Sequence, residues 1–375
     1  MNTDQTYNTN AAILLLEDGV FFVGRFFGAA QKSKGEVIFN TGMAGYQEVF
    51  SDPSYEGQIL VMTYPHIGNY GINPEDFESG KAYLEGIVVS ESNRMYSNWR
   101  ATESLDAFLQ KNGITGIEGV DTQALVMHLR DHGAMRGIIA PANEDKILLL
   151  NEIKAFPKME GSDFVKVVTV KEPYEFISKR YPHVPQLRTV VMFDFGLKNN
   201  TPELLAARGC KVMVVPADYP AEEVLKFDPD GIMLSNGPGD PYVVTYAVET
   251  VKKLLEKKIP TFGICMGHQL LGVALGGKTY KLPFGHHGVN HPVKNLKTGK
   301  VEITSQNHGF CIAPGSLPSD VEATHINLND QTNEGLAHKT LPFFSVQYHP
   351  EAYPGPQDST YLFDQFIALM EKNKH

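Results

Sequence analysis

The period of the hydrophobic positions changes part-way along the chain. In the first 150 residues they come in short runs. Ala12–Glu17 and Val20–Gly24 flank Asp18-Gly19, which predicts a β-hairpin with a two-residue turn. Glu36–Asn40, Ile59–Thr63 and Gly86–Ser90 predict further strands. Leu125, Val126 and Leu129 share one helical face; Asp121 or Thr122 can cap that helix and Gly133 can end it, predicting a helix over 122–132. Glycines are frequent, helices are few, and no repeat is found. The expectation is a mixed α/β domain over 12–150, preceded by a loose tail over 1–11. Over 151–187 prolines recur (Pro157, Pro173, Pro182, Pro185), and no periodic pattern outlasts the short Phe164–Val170 run. That stretch reads as a linker.

From Thr189 onward, continuous apolar runs alternate with helical stripes. Thr189–Phe195, Lys211–Val215, Gly231–Ser235 and Pro260–Ile264 predict buried strands. A helix between the first two has Thr201 as its cap, Pro202 at its first position and Gly209 beyond its end. Another aligns Ala247, Val248, Val251, Leu254 and Leu255, and a terminal one over 359–372 aligns Leu362, Phe363, Phe366, Ile367 and Met370. Such alternation predicts an α/β fold over 188–375: a doubly wound, mostly parallel sheet with helices on both faces.

Composition narrows the function. The chain has 375 residues, 42% hydrophobic and 20% charged, so it is long enough for two packed domains and too apolar for extended disorder. A formal net charge of −10 without a dense Lys/Arg run argues against nucleic acid as a partner. No apolar run reaches membrane-span length, and Met1–Asn10 is polar, without the basic and apolar regions of a secretory leader. Three cysteines, Cys210, Cys265 and Cys311, cannot all pair and form no C-x-x-C. A reducing, cytoplasmic setting is expected, with any special cysteine a nucleophile.

One cysteine stands apart. In Phe262-Gly263-Ile264-Cys265-Met266-Gly267 a buried strand ends, a cysteine sits between two close glycines, and an apolar helix begins. This is the nucleophile-elbow pattern with cysteine in place of serine. The tight turn leaves no room for Cβ atoms beside it, and helix-terminal N–H groups favour a thiolate there. Taken alone, the motif also fits a buried structural cysteine. A thiol nucleophile needs a base and the base an orienter. The predicted strand Phe343–Tyr348 leads into His349-Pro350-Glu351; Pro350 keeps the segment extended, so His349 and Glu351 can point the same way. With the elbow, this predicts a Cys265–His349–Glu351 triad.

Other motifs carry less. Gly272–Thr279 matches the P-loop pattern, yet the helix comes before it and an extended run after it, so nucleotide binding there is rejected. His286, His287 and His291 have no acid or cysteine at ligand spacing, so no metal site is expected. Ser235–Asp240 and Gln306–Phe310 are polar, glycine-containing loops without meaning on their own.

Together, however, the elbow, the SNGPGD loop and the terminal HPE resemble the class I (triad) glutamine amidotransferases over 188–375. In the first half, GEVIFNTGMAGY at Gly35–Tyr46, QEVFSDPSY at Gln47–Tyr55 and TYPHIGN at Thr63–Asn69 are similar to the carbamoyl phosphate synthetase small-subunit family. So are GHHGVNHPV at Gly285–Val293 and QNHGF at Gln306–Phe310. The resemblance implies that Cys265 is the nucleophile, His349 its base and Glu351 the partner. It places glutamine binding on Gly42, Gly237, Gly239, Met266, Gln269, Asn307, Gly309 and Phe310. Gly42 stands where many members carry serine, and Met266 where leucine is usual. The resemblance also implies ammonia release from L-glutamine and delivery to a large synthetase subunit, which would hold the ATP and Mg²⁺; this chain would need no cofactor or metal. Two alternatives remain: a free-standing γ-glutamyl hydrolase, against which the N-terminal half speaks, and a non-catalytic regulatory subunit, against which Cys265 and His349 speak.

Overall fold

A computed structural model gives the structure of residues 10–373. Most of the tail expected over 1–11 lies outside the described residues, and Ala11 already belongs to a strand. The chain divides into two compact units. One comprises the residues up to Ser51, Gly57–Phe77 and Lys81–Met159; the other comprises Asp52–Glu56, Glu78–Gly80 and the residues from Glu160 onward.

The first unit is built on a closed barrel of seven strands. Its order is Ala11–Leu16, Phe21–Gly28, Thr115–Glu118, Gly86–Val88, Gln58–Met62, Ser33–Asn40 and Met135–Pro141, which returns to the first. The first strand is apolar at every position because both of its faces are covered. Ala12, Leu14 and Leu16 join a cluster with Val37, Ile59, Val61 and Ile139. Ile13 and Leu15 pack with Leu149 and Ile153 of the helix Lys146–Ala155. The helix Thr122–His132 forms as its pattern predicts: Asp121 Oδ1 accepts from the Ala124 N–H at 2.9 Å, and Gly133 ends the helix at φ +94°. The connection after the first strand spans four residues, Glu17–Val20, rather than the expected two, with Gly19 at φ +93°.

The second unit holds a ten-stranded sheet. Its central strands, Cys210–Pro216, Arg188–Asp194, Gly231–Leu234, Thr261–Ile264 and Phe343–Val346, run parallel in that spatial order. Alternate residues serve opposite faces. Val191 and Phe193 pack with the helices Thr245–Glu256 and Met266–Ala274. Val190 and Met192 pack with Leu205 of Asn200–Ala206 and with Leu362, Phe363 and Phe366 of Tyr361–Lys372. The doubly wound core is therefore as predicted. The sheet then continues in antiparallel fashion through Asn333–His338, Val321–Asn327, Thr279–Asn295 and Val301–Ile312. These strands are polar enough to hide their period.

The stretch 151–187 differs from the expected linker. Its first residues finish the helix Lys146–Ala155, Val165–Val168 forms a short helix, and Tyr174–Phe176 adds an antiparallel edge strand to Cys210–Pro216. The units change over at Met159/Glu160. Proline breaks this segment into pieces too short for a periodic signal; Ile153, Met159, Val165 and Val168 are buried, while Val167, Ile177 and Leu187 stay exposed. Among the described residues no helix is long and apolar enough to cross a membrane.

Candidate active site

Three neighbouring parallel strands deliver their C-terminal ends to one place, where open α/β sheets gather their ligands. Thirty residues apart in sequence, Ser235 and Cys265 each follow such a strand, and the third strand leads to His349. Cys265 stands between the strand Thr261–Ile264 and the helix Met266–Ala274 at φ +51°, ψ −105°. Few side chains tolerate this region, and its cost is of order 1–3 kcal/mol. The flanking glycines explain themselves sterically. A Cβ on Gly263 would lie 2.7 Å from the Gly267 carbonyl oxygen, and one on Gly267 would lie 2.2 Å from that of Leu234. The turn is pinned by the Cys265 N–H to the Val346 carbonyl and the Gly267 N–H to the Ser235 carbonyl, both at 2.9 Å.

The thiol is buried and donates to the Asn307 carbonyl at 3.6 Å. His349 and Glu351 are buried too, with His349 Nδ1 2.7 Å from Glu351 Oε1. Burial disfavours an imidazolium, but Glu351 and then the Cys265 sulfur outweigh it, so His349 holds its proton well above the ordinary histidine range. Burial likewise disfavours the Glu351 carboxylate, but His349 and Lys198 hold its pKa below the ordinary value. With Nδ1 bound to Glu351, Nε2 is left without a hydrogen-bond partner among the described residues. The backbone holds the ring in place, since the His349 N–H donates to the Ser305 carbonyl at 2.9 Å. This arrangement can activate a thiol and pass a proton to a leaving group.

Two family descriptions match the chain: "Glutamine amidotransferase class-I" over residues 191–369 and "Carbamoyl-phosphate synthase small chain, CPSase domain" over residues 14–139. The carbamoyl phosphate synthase small chain of Syntrophotalea carbinolica is 54% identical, covering 97% of this chain and 98% of its own. That of Chlorobaculum tepidum is 52% identical, covering 97% and 99%. The chain belongs to the carbamoyl phosphate synthase small chain family. A further relative, the pyrimidine-specific small chain of Halalkalibacterium halodurans, is 51% identical over 96% of this chain. A solved glutamine amidotransferase from Thermotoga maritima covers 49% of this chain at 18% identity and a TM-score of 0.36.

The small-chain family's expected substrate positions fall on several elements. Gly237 follows the strand Gly231–Leu234, where a Cβ would come 2.1 Å from the Phe195 carbonyl oxygen. Gly239 sits at φ +95°. Asn307, Gly309 and Phe310 lie on the strand Val301–Ile312. Gln269, in the helix that Met266 begins, donates to the Phe310 carbonyl at 2.7 Å and so ties that helix to that strand. Gly42 belongs to the first unit, where its N–H donates to Asn40 Oδ1 at 2.7 Å.

The rejected P-loop match is a helix end. The helix Met266–Ala274 closes into it, Gly276 takes φ +96°, the Gly277 N–H donates to the Gly272 carbonyl at 2.8 Å, and a strand begins at Thr279.

The histidine patch is different from its sequence reading, because the fold supplies the missing acids. His286 Nε2 meets Asp330 at 2.8 Å, and its Nδ1 faces Glu334 at 3.6 Å. His286, His308 and Glu334 each bring one ligand-type atom within 4.8 Å of the others, a set that could hold a divalent metal. Protein groups already serve most of these atoms: Glu334 accepts from Gln306 Nε2 at 3.0 Å and Asn327 Nδ2 at 2.9 Å. Burial alone would discharge His286, but Asp330 and Glu334 raise its pKa to about 9. Sequence spacing missed these contacts because Glu334 reaches the patch from the strand Asn333–His338 and Asp330 from the turn before it. It also missed Lys198, whose buried ammonium lies 3.4 Å from Glu351 Oε1.

Proposed function

We propose that this chain is the glutamine-hydrolysing small subunit of a carbamoyl phosphate synthase. The observation that carries the reading is a family small chain whose elbow cysteine shares a buried site with a His349–Glu351 pair at 2.7 Å. Cys265 gives its thiol proton to His349, and the resulting thiolate attacks the side-chain amide carbon of L-glutamine. His349 gives its proton to the departing ammonia, and a γ-glutamyl thioester remains on Cys265. His349 then takes a proton from water, which attacks the thioester and releases glutamate. The backbone N–H groups of Met266 and Gly239 hold the oxyanion of each tetrahedral intermediate, about 3 kcal/mol per donor. Glu351 keeps the imidazole in one tautomer and supports its charge. Gly237, Gly239, Met266, Gln269, Asn307, Gly309 and Phe310 form the glutamine pocket within the second unit.

The chain itself uses no cofactor. Its partner is a large synthetase subunit that binds ATP and Mg²⁺ and receives the ammonia, and the pair works in the cytoplasm. An enclosed delivery route follows from the chemistry, because ammonia released into neutral water is protonated and ceases to be a nucleophile. The test is carbamoyl phosphate synthesis by the complex with glutamine or with ammonia as nitrogen source. Hydrolysis of glutamine by the chain, and glutamine-driven synthesis only when it is present, are expected. A complex that uses glutamine equally well without this chain would overturn the reading.

A further inference from the structure

Two short segments from the first quarter of the sequence, Asp52–Glu56 and Glu78–Gly80, are counted with the second unit. Each brings it a buried acid, Asp52 at 4% exposure and Glu78 at 2%. Asp52 opens the turn Pro53–Tyr55, where its Oδ1 accepts from the Ser54 N–H at 2.9 Å. The same carboxylate accepts from Asn236 Nδ2 at 3.4 Å and, through Oδ2, from Asn307 Nδ2 at 3.2 Å. Asn236 precedes Gly237, and Asn307 offers its carbonyl to the Cys265 thiol at 3.6 Å. The Asn307 side chain is held from the other side by His287 Nδ1 at 2.8 Å.

Glu78 serves the opposite flank. Its Oε2 accepts from the Asn200 N–H at 3.1 Å, and its carbonyl accepts from the Asn199 N–H at 2.7 Å. The segment it fixes carries Lys198 and Asn200, the first residue of the helix Asn200–Ala206. Lys198 Nζ lies 3.4 Å from Glu351 Oε1 and donates to the Ala352 carbonyl. Asn200 Nδ2 donates to the Glu351 carbonyl at 2.5 Å.

We propose that Asp52 and Glu78 are positioning residues of the glutaminase site: Asp52 sets the loop at Asn236 and the strand at Asn307 that line the glutamine pocket, and Glu78 sets the segment that holds Glu351. The proposal rests on the triad reading above. Packing alone does not call for these acids, because a buried carboxylate is costly unless its bonds repay desolvation, and apolar residues fill space at least as well. Both acids spend their bonds on residues that touch the site or stand next to one that does. Both also lie outside the stretch that matches the amidotransferase family and inside the one that matches the small-chain domain. The hydrolytic site is therefore completed by the part of the sequence that distinguishes small chains from other amidotransferases. Glu78 faces Lys198, Glu351, Asp52 and the Asn200 N–H; burial raises its pKa to about 7 against the pull of Lys198.

The test is steady-state glutamate formation by the full chain with Asp52→Asn, Asp52→Ala and Glu78→Gln, alongside Cys265→Ala and melting curves for all. Asp52→Asn keeps one acceptor for several donors, so KM for glutamine should rise roughly tenfold while kcat changes by less than about threefold; Asp52→Ala should raise KM further. Glu78→Gln should lower kcat roughly tenfold with KM little changed, and should alter the pH profile of kcat near neutrality. If Asp52→Ala does not fold, Asp52→Asn decides. Wild-type kcat and KM in Asp52→Asn and Glu78→Gln would overturn the proposal, as would losses in which kcat and KM move together in step with melting temperature. An active Cys265→Ala would overturn the triad reading instead.

Discussion

Along one sheet of the second unit, the strands from Cys210–Pro216 to Phe343–Val346 run parallel, and those from Asn333–His338 to Val301–Ile312 run antiparallel. The parallel half is apolar on both faces, as Val190–Phe193 and Ile232–Leu234 illustrate. The antiparallel half buries Gln306, Asn307, His308, Asn327 and Glu334. The parallel strands end at the elbow, at the glycine loop and before His349, and so present their chemistry at their tips. The antiparallel strands present Asn307, Gly309 and Phe310 from within a strand. A rigid apolar core thus aims Cys265 and His349, the proposed reacting groups, and a hydrogen-bonded polar wall faces them. The division assigns different failures to the two halves: rate in the first, affinity and stability in the second.

The largest effect is expected at the tip of the parallel half. Cys265→Ser should remove glutamine-dependent synthesis, a loss of about 10⁴ or more for a triad nucleophile, while ammonia-dependent synthesis by the complex persists. Assaying both nitrogen sources on one preparation checks this, and equal loss of both would break the division of labour. Next come the proton-handling residues. His349→Asn should cost about 10²–10⁴ in kcat, and Glu351→Gln less, because Glu351 only orients and charges the ring. Removing the Glu351 charge lowers the His349 pKa, so the alkaline fall of kcat/KM should begin at lower pH in Glu351→Gln. A fall that moves to higher pH would reverse the assigned roles.

In the antiparallel half the expected effect is on stability. The His286 pKa is raised from 6.5 to about 9, so its contribution is complete below about 6.5 and is lost as pH rises toward 9. Asp330 is partly exposed, which discounts the pair to about 1–3 kcal/mol. Urea unfolding at pH 6 and pH 9.5 should therefore show His286→Gln markedly less stable than the parent at the lower pH and nearly equal to it at the higher. The smallest effect sits where the two halves join. Lys278→Ala should leave ATP binding unchanged by calorimetry, because the carbonyl end of the helix Met266–Ala274 repels a triphosphate. Tight, lysine-dependent ATP binding to this chain alone would move nucleotide chemistry onto it.

The same contrast explains what was legible. The parallel strands and their helices could be read because continuous apolar runs and helical stripes have no rival interpretation at those lengths. The helix Thr122–His132 could be read because Asp121 and Gly133 mark its ends. The elbow announced itself through glycines whose Cβ atoms would collide with backbone. The strands Thr279–Asn295 and Val301–Ile312 were not legible as a polar wall, since buried histidines and amides mimic loop composition. Nor were Asp52, Glu78 and Lys198. A buried charge takes its meaning from partners distant in the chain, and only the fold shows which ones they are.

The backbone at Cys265 has a consequence for how the chain can change. A glycine there would accept φ +51° without strain, so Cys265→Gly should gain thermal stability from the substitution that deletes the nucleophile. If Cys265 is the nucleophile proposed above, a screen for heat-resistant variants should be paired with an activity assay, or it will enrich inactive chains.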